Sequence, residues 1–178
     1  MVASQNVINI RGETWYSRRD AYTFCDISIS NSWFVHCRNY EASGGAILSL
    51  SPIRIFNSKF YHCASGSGGA LCAYNDLNIS RVSFSRCLAR ECGGAMCLMF
   101  GNAQIERSSG FFNSVAGPGG FSFCKLDDLS VKTTNVSYTS ATEGGAALML
   151  HSTSVLVDTS VFSFLVNEPP AASLALKS

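Results

Sequence analysis

One pattern constrains this chain more than any other: a pair of glycines followed by a short apolar run. It is written at Gly44-Gly45-Ala46-Ile47-Leu48, Gly68-Gly69-Ala70-Leu71-Cys72, Gly93-Gly94-Ala95-Met96-Cys97, Gly119-Gly120-Phe121-Ser122-Phe123 and Gly144-Gly145-Ala146-Ala147-Leu148. Successive pairs fall 24 to 26 residues apart. The same ruler reaches Arg19-Asp20-Ala21-Tyr22-Thr23-Phe24 at one end and Pro169-Pro170-Ala171-Ala172-Ser173-Leu174 at the other, which makes seven copies. A unit this short cannot bury an apolar face alone, so neighbouring copies must stack to make a core.

Each copy holds three strand-like runs separated by turn residues. The glycine-led run is the first. An alternating pair is the second: Ile27 and Ile29, Ile53 and Ile55, Leu77 and Ile79, Ala103 and Ile105, Leu129 and Val131, Val155 and Val157. The third is Phe34-Val-His-Cys37, Phe60-Tyr-His-Cys63, Phe84-Ser-Arg-Cys87, Phe111-Phe-Asn-Ser114, Val136-Ser-Tyr-Thr139 and Phe162-Ser-Phe-Leu165. A period of two marks strands, and no copy holds an amphipathic run long enough for a helix. The leucine-rich repeat consensus is absent. Three short strands per copy with tight corners predict an all-β parallel β-helix of about seven coils of roughly 25 residues. It forms one domain over 1–178, with a lead-in over 1–18, repeats over 19–178 and a truncated last coil. Gly45, Gly69, Gly94, Gly120 and Gly145 are expected to stack at a corner where backbones approach closely. Phe34, Phe60, Phe84 and Phe111 are expected to stack as the large fillers, and Cys37, Cys63 and Cys87 as a ladder of small buried residues.

The recurrence of Gly-Gly-Ala-[Ile/Leu/Met] with Phe-x-x-[Asn/Cys] resembles the repeats of polymorphic outer membrane proteins and related right-handed β-helix proteins of the pectin-lyase-like superfamily. The resemblance spans roughly residues 10 to 176 and implies a right-handed coil. It also implies surface display as an adhesin or autotransporter passenger.

The net charge of +1 gives no case for nucleic acid or an anionic membrane. No window reaches the roughly 18 apolar residues of a membrane-spanning helix. Met1 to Ile10 lacks the pattern of a secretory signal, so an intracellular location is expected if Met1 is the native start, and a cell-surface one if the chain is a fragment. Eight cysteines are many for 178 residues. Their repeat-locked positions favour stacked free thiols over a disulfide framework, and the lack of a C-x-x-C pair argues against zinc.

Residues for catalysis are sparse. Asp127-Asp128 is the one acidic doublet, and a solvated turn explains it more simply than a lyase or hydrolase pair. Glu13, Glu41, Glu91 and Glu143 recur near one corner, where exposed turn residues are the plainer reading. His36 and His62 are equivalents on adjacent rungs about 5 Å apart, a spacing open to a metal or to pH sensing. Arg86 in the next place argues against the metal. Gly117-Pro118-Gly119-Gly120 has no following helix to bind phosphate. Asn78-Ile-Ser80 and Asn135-Val-Ser137 match the glycosylation pattern within strands.

The surface then carries the functional expectation. If Ala46, Leu48 and Leu50 point inward, Ile47, Leu71, Met96, Leu98, Phe100, Leu126, Met149 and Leu174 form an outward apolar row, a contact surface unless Trp15 and Tyr16 fold over it. Pro169-Pro170 is expected to blunt the last corner. The chain is therefore read as a non-enzymatic structural protein with no cofactor and no metal. Its expected partner is a protein, foremost itself, as a homo-oligomer or filament joined through this apolar face or the uncapped ends of the coil, with no nucleic acid and no membrane insertion.

Overall fold

The computed structural model describes residues 8–12, 14–15, 19–21, 26–163, 165–167 and 174–176, with side chains over 11–12, 26–151, 154–163 and 165–166. Cys25, Tyr16, Glu13 and Pro169-Pro170 lie outside the described residues, as do the side chains of Trp15 and Leu174. The chain winds into an all-β parallel solenoid of about five turns, without helix among the described residues. All seven glycine-led runs stack in one row.

Three sheets, of 12, 7 and 6 strands, line the coil. The glycine-led and alternating runs share the largest sheet and fuse into single strands at Ser122–Lys132 and Leu148–Asp158. The phenylalanine run builds the 7-stranded sheet from Trp33–Val35, Lys59–Tyr61, Ser83–Ser85, Ser109–Phe111 and their neighbours. The 6-stranded sheet comes from stretches the sequence reading assigned to turns, among them Ala64–Ser67 and Leu88–Cys92. Stacking supplies the backbone partners there whatever the side chains are, which is how non-alternating Ser and Gly become strand. Turn length is not uniform. Arg38 pairs with Ala64 but Ile47 pairs with Leu71, so the second rung is shorter than the first by the two residues it omits between these positions, in the connection that begins at Tyr40.

The alternating run fills one side of the core: Ile27, Ile29, Ile53, Ile55, Leu77, Ile79, Ala103, Ile105, Leu129 and Val131 are all buried and in register. Opposite them, the rings of Phe34, Phe60 and Phe84 stack at 4.7 and 4.9 Å with interplanar angles of 6°. Such stacking adds about 0.5–1.5 kcal/mol per pair beyond area burial. Phe111 does not continue the column. Phe84 pairs with Gly110, while Phe111 pairs with Ser85 and faces outward, half-buried. The missing ring is supplied from the glycine corner: Phe121 is buried and packs edge-on against Phe84 at 5.9 Å. A Cβ on Gly110 would lie 2.6 Å from Phe121 Cε2, so the glycine is the space that the ring occupies.

The glycine corner corrects two further expectations. Gly45, Gly69, Gly94 and Gly120 do stack, and a Cβ on each would collide with the carbonyl of the next rung. Gly145, however, takes the place of Gly119, with φ of +62° against +79°, and Ala146 takes the place of Gly120. The phase of the following strand is also inverted. Ile47, Leu71, Met96, Leu98 and Leu126 were expected outside and are buried in the core, as are Leu148 and Leu150, while Leu48 is half-buried and Leu50 exposed. The cause is an extra residue at each corner: the amides of Ala46 and Ile47 both donate to Ala70 O, at 2.9 and 3.0 Å, and the same sharing recurs on the carbonyls of Ala95, Phe121 and Ala147. A one-residue bulge flips every later side chain to the other face. The true outward row is Leu48, Cys72, Cys97, Phe123 and Met149. Of the expected contact residues, Phe100 is exposed and Met149 is half-buried on the outer face.

The cysteine ladder is present and has a hydrogen-bonding role. Cys63 Sγ donates to Phe34 O at 3.7 Å and Cys87 Sγ to Phe60 O at 4.0 Å. On the next rung Asn113, fully buried, does this more strongly: its Nδ2 donates to Phe84 O at 3.2 Å and its Oδ1 accepts from Cys87 N at 2.9 Å. Asn113, not Ser114, therefore continues the ladder, followed by Thr139. All seven described cysteines are free thiols.

Candidate functional site

Between the phenylalanine strand and the following strand, each rung bends at one residue in left-handed backbone geometry. His36, His62, Arg86, Phe112 and Tyr138 hold φ between 53° and 55° there. A single left-handed residue turns the chain and throws its side chain outward, so the five stand in a row along the solenoid axis. A second row of this type, Asn31, Asn57, Arg81, Arg107, Thr133 and Thr159, marks the preceding corner. Non-glycine residues in this region carry strain of about 1 kcal/mol or more. At the second row part of that is offset, as Asn57 Nδ2 donates to Asn31 Oδ1 at 2.7 Å.

The first row joins the outer face of the phenylalanine sheet into a wall that is aromatic and cationic. The rings of His36 and His62 lie 5.0 Å apart, edge to face, and Tyr61 stacks on His62 at 4.7 Å. Arg86 reaches back over Tyr61 at 5.9 Å, with Nη1 donating to the phenol oxygen at 3.3 Å. Lys59 sits 5.0 Å over the exposed Trp33. At the far end Phe112 and Tyr138 stack at 4.9 Å, 54% and 47% exposed. Among the described residues, the partners of Lys59 and Arg86 are rings rather than carboxylates, so their charge stays available. Burial, with the charges of His36, Arg86 and Arg38 adding to it, holds the His62 pKa below its ordinary value.

The remaining sequence candidates scatter. Asp127 and Asp128 are both exposed, and Asp128 stacks between Asn102 and Ser154 rather than beside another carboxylate. Glu41, Glu91 and Glu143 are exposed, and Glu91 accepts from Ser67 Oγ at 2.8 Å. Asn78 and Asn135 are exposed strand residues, with Asn78 Nδ2 donating to Gln104 at 3.3 Å. Among the described residues no group of three or more His, Cys, Asp and Glu is arranged to hold a metal. The sequence reading found His36, His62 and Arg86 but not the rest of the wall. The signal was there in the residue preceding each ladder position, which reads His, His, Arg, Phe, Tyr once the fourth copy is set on Asn113. Comparisons with protein-family models, with curated proteins and with solved structures return no match for this chain.

Proposed function

We propose that this protein is a non-enzymatic interaction module that pairs with a second copy of itself through the row His36, His62, Arg86, Phe112 and Tyr138. The observation that supports this is the order of the row. One half ends in the cation Arg86 and the other is the ring pair Phe112 and Tyr138, so a two-fold axis passing between Arg86 and Phe112 lays Arg86 on Phe112 and the His62 ring on Tyr138 in both directions. Rung spacing favours the same partner. The rings repeat at 4.9 to 5.0 Å along the axis, whereas an extended peptide presents side chains on one face roughly every 7 Å. A second stack of rungs stays in phase; a single strand does not.

Sedimentation of the full chain under reducing conditions, over a range of concentrations, tests this. The expected result is a species of about twice 19.1 kDa. Arg86→Ala removes both symmetric contacts, about 2 kcal/mol together, and weakens pairing about thirtyfold. Phe112→Ser behaves alike. A monomer at every concentration, or variants that pair as the parent does, rejects the proposal. The double-glycine corners that stack rung on rung also support the resemblance to polymorphic outer membrane protein repeats, and with it a reading as an adhesin or passenger segment. Binding of the chain to intact host cells, lost in Arg86→Glu, would favour that reading.

A further inference from the structure

The inverted phase of the glycine-led strand brings sulfur together on the outer face. Cys72 and Cys97 are register partners on adjacent rungs, and both are buried. Cys92, the last residue of the strand Leu88–Cys92, is half-exposed, and its Sγ lies 3.3 Å from Cys97 Sγ. Met99 Sδ is 3.6 Å beyond Cys97 on the other side. Two thiol sulfurs this close need only a small side-chain rotation to bond. The core ladder thiols, which also hydrogen-bond one another, differ in access: Cys37, Cys63 and Cys87 are fully buried.

We propose that Cys92 and Cys97 form a thiol–disulfide exchange site that takes low-molecular-weight disulfides, with Cys92 as the attacking residue and Cys97 as the resolving one. The roles follow from placement and electrostatics. Cys92 is the member that solvent reaches, and its hydrogen bonds with Cys97 and Ser67 hold its pKa down to about 7, against burial and the repulsion of Glu91. Cys97 is pushed upward by its hydrogen bonds with Cys72 and Cys92 and by burial, so it stays protonated and waits. Cys72, hydrogen-bonded to Cys97 and contacting Ser43 and Tyr74, is sealed from solvent.

In the first step the Cys92 thiolate attacks one sulfur of the small disulfide, forms a mixed disulfide and expels one thiolate, which takes up the proton of Cys97. In the second, Cys97 sulfur attacks Cys92 sulfur, closes the Cys92–Cys97 bond and expels the second thiolate. Two protein thiols are oxidised and one small disulfide is reduced to two thiols. The product staples the corner around Gly93-Gly94 and is independent of the pairing wall.

The test uses the reduced full chain with oxidised glutathione, quenched with N-ethylmaleimide in urea so that buried thiols are also alkylated, and digested with trypsin. Peptide Glu91 to Arg107 contains Cys92 and Cys97 and no other cysteine. It is expected to lose two hydrogens while peptides carrying Cys63, Cys72 and Cys87 are recovered alkylated. The lowered pKa leaves more of Cys92 as thiolate at about pH 7 than an ordinary thiol, so attack on oxidised glutathione is expected to be faster than in the urea-unfolded chain. Cys97→Ser is expected to trap glutathione on Cys92, and Cys92→Ser to leave Cys97 unmodified. Recovery of the wild-type peptide with both thiols alkylated, a Cys72–Cys97 crosslink, or unchanged reactivity in Cys92→Ser overturns the assignment.

Discussion

Replacing Phe121 and Gly110 singly and together tests the claim that one ring was moved from the phenylalanine strand to the glycine corner. Phe121 is 1% exposed and packs on Phe84, so Phe121→Ala removes a buried ring and leaves a cavity, at about 3–5 kcal/mol. Gly110→Ala alone places a methyl group 2.6 Å from Phe121 Cε2. The buried ring cannot swing away, and overpacking of this kind costs about 1–3 kcal/mol. Part is offset by the preference of about 0.5–1 kcal/mol for Ala over Gly within a strand, since Gly110 needs no left-handed geometry. A net cost near 1–2 kcal/mol is expected. In the double variant the added methyl group enters the space the ring has left, so the clash disappears and some cavity is refilled. The pair should therefore cost about 2 kcal/mol less than the sum of the singles. Urea unfolding followed by far-ultraviolet circular dichroism measures the three differences, with an unchanged m-value showing that one transition is being compared. Additivity within about 0.5 kcal/mol means that the two sites do not share one space, and refutes the account.

Asn113→Ala leaves Cys87 N and Phe84 O without their buried partner and should cost about 2–3 kcal/mol in the same assay. Arg107→Gly relieves a φ of 47° at an exposed turn, and after the entropy cost of glycine of about 0.5–1 kcal/mol it should raise stability by no more than about 0.5 kcal/mol. His62 has a folded pKa below its unfolded value near 6.5, so its contribution is complete above that pH and is lost as pH falls through the folded value. His62→Gln should flatten the loss of stability on acidification below about pH 6.5, read as the shift in urea midpoint with pH.

The period, the parallel stack and the column of Phe34, Phe60 and Phe84 were legible because each depends on residues repeating at one interval. So was the proximity of His36 and His62, expected at about 5 Å and found at 5.0 Å. The inside and outside of the glycine-led strand were not. Alternation counted from Ala46 assumes one residue per step, and the corner inserts one more by letting two amides share a carbonyl. Without a backbone, Ile47 and Leu48 are indistinguishable candidates for the core. The slip at Phe111 has a different origin: a phenylalanine one place late looked like the ladder residue, whereas two 26-residue steps lead from Phe84 to Gly110 and on to Val136. The sulfur cleft followed from the same inversion, since only a strand facing outward at Cys72 and Cys97 can meet Cys92.

The two-residue difference between the first and second rungs carries a practical consequence. Slack is confined to the stretch from Tyr40 toward the glycines, while Ile27, Phe34 and Arg38 keep step with Ile53, Phe60 and Ala64. Foreign sequence grafted between Glu41 and Ala42 would bulge from the side of the coil as a tether or epitope, and the windings above and below would keep their alignment.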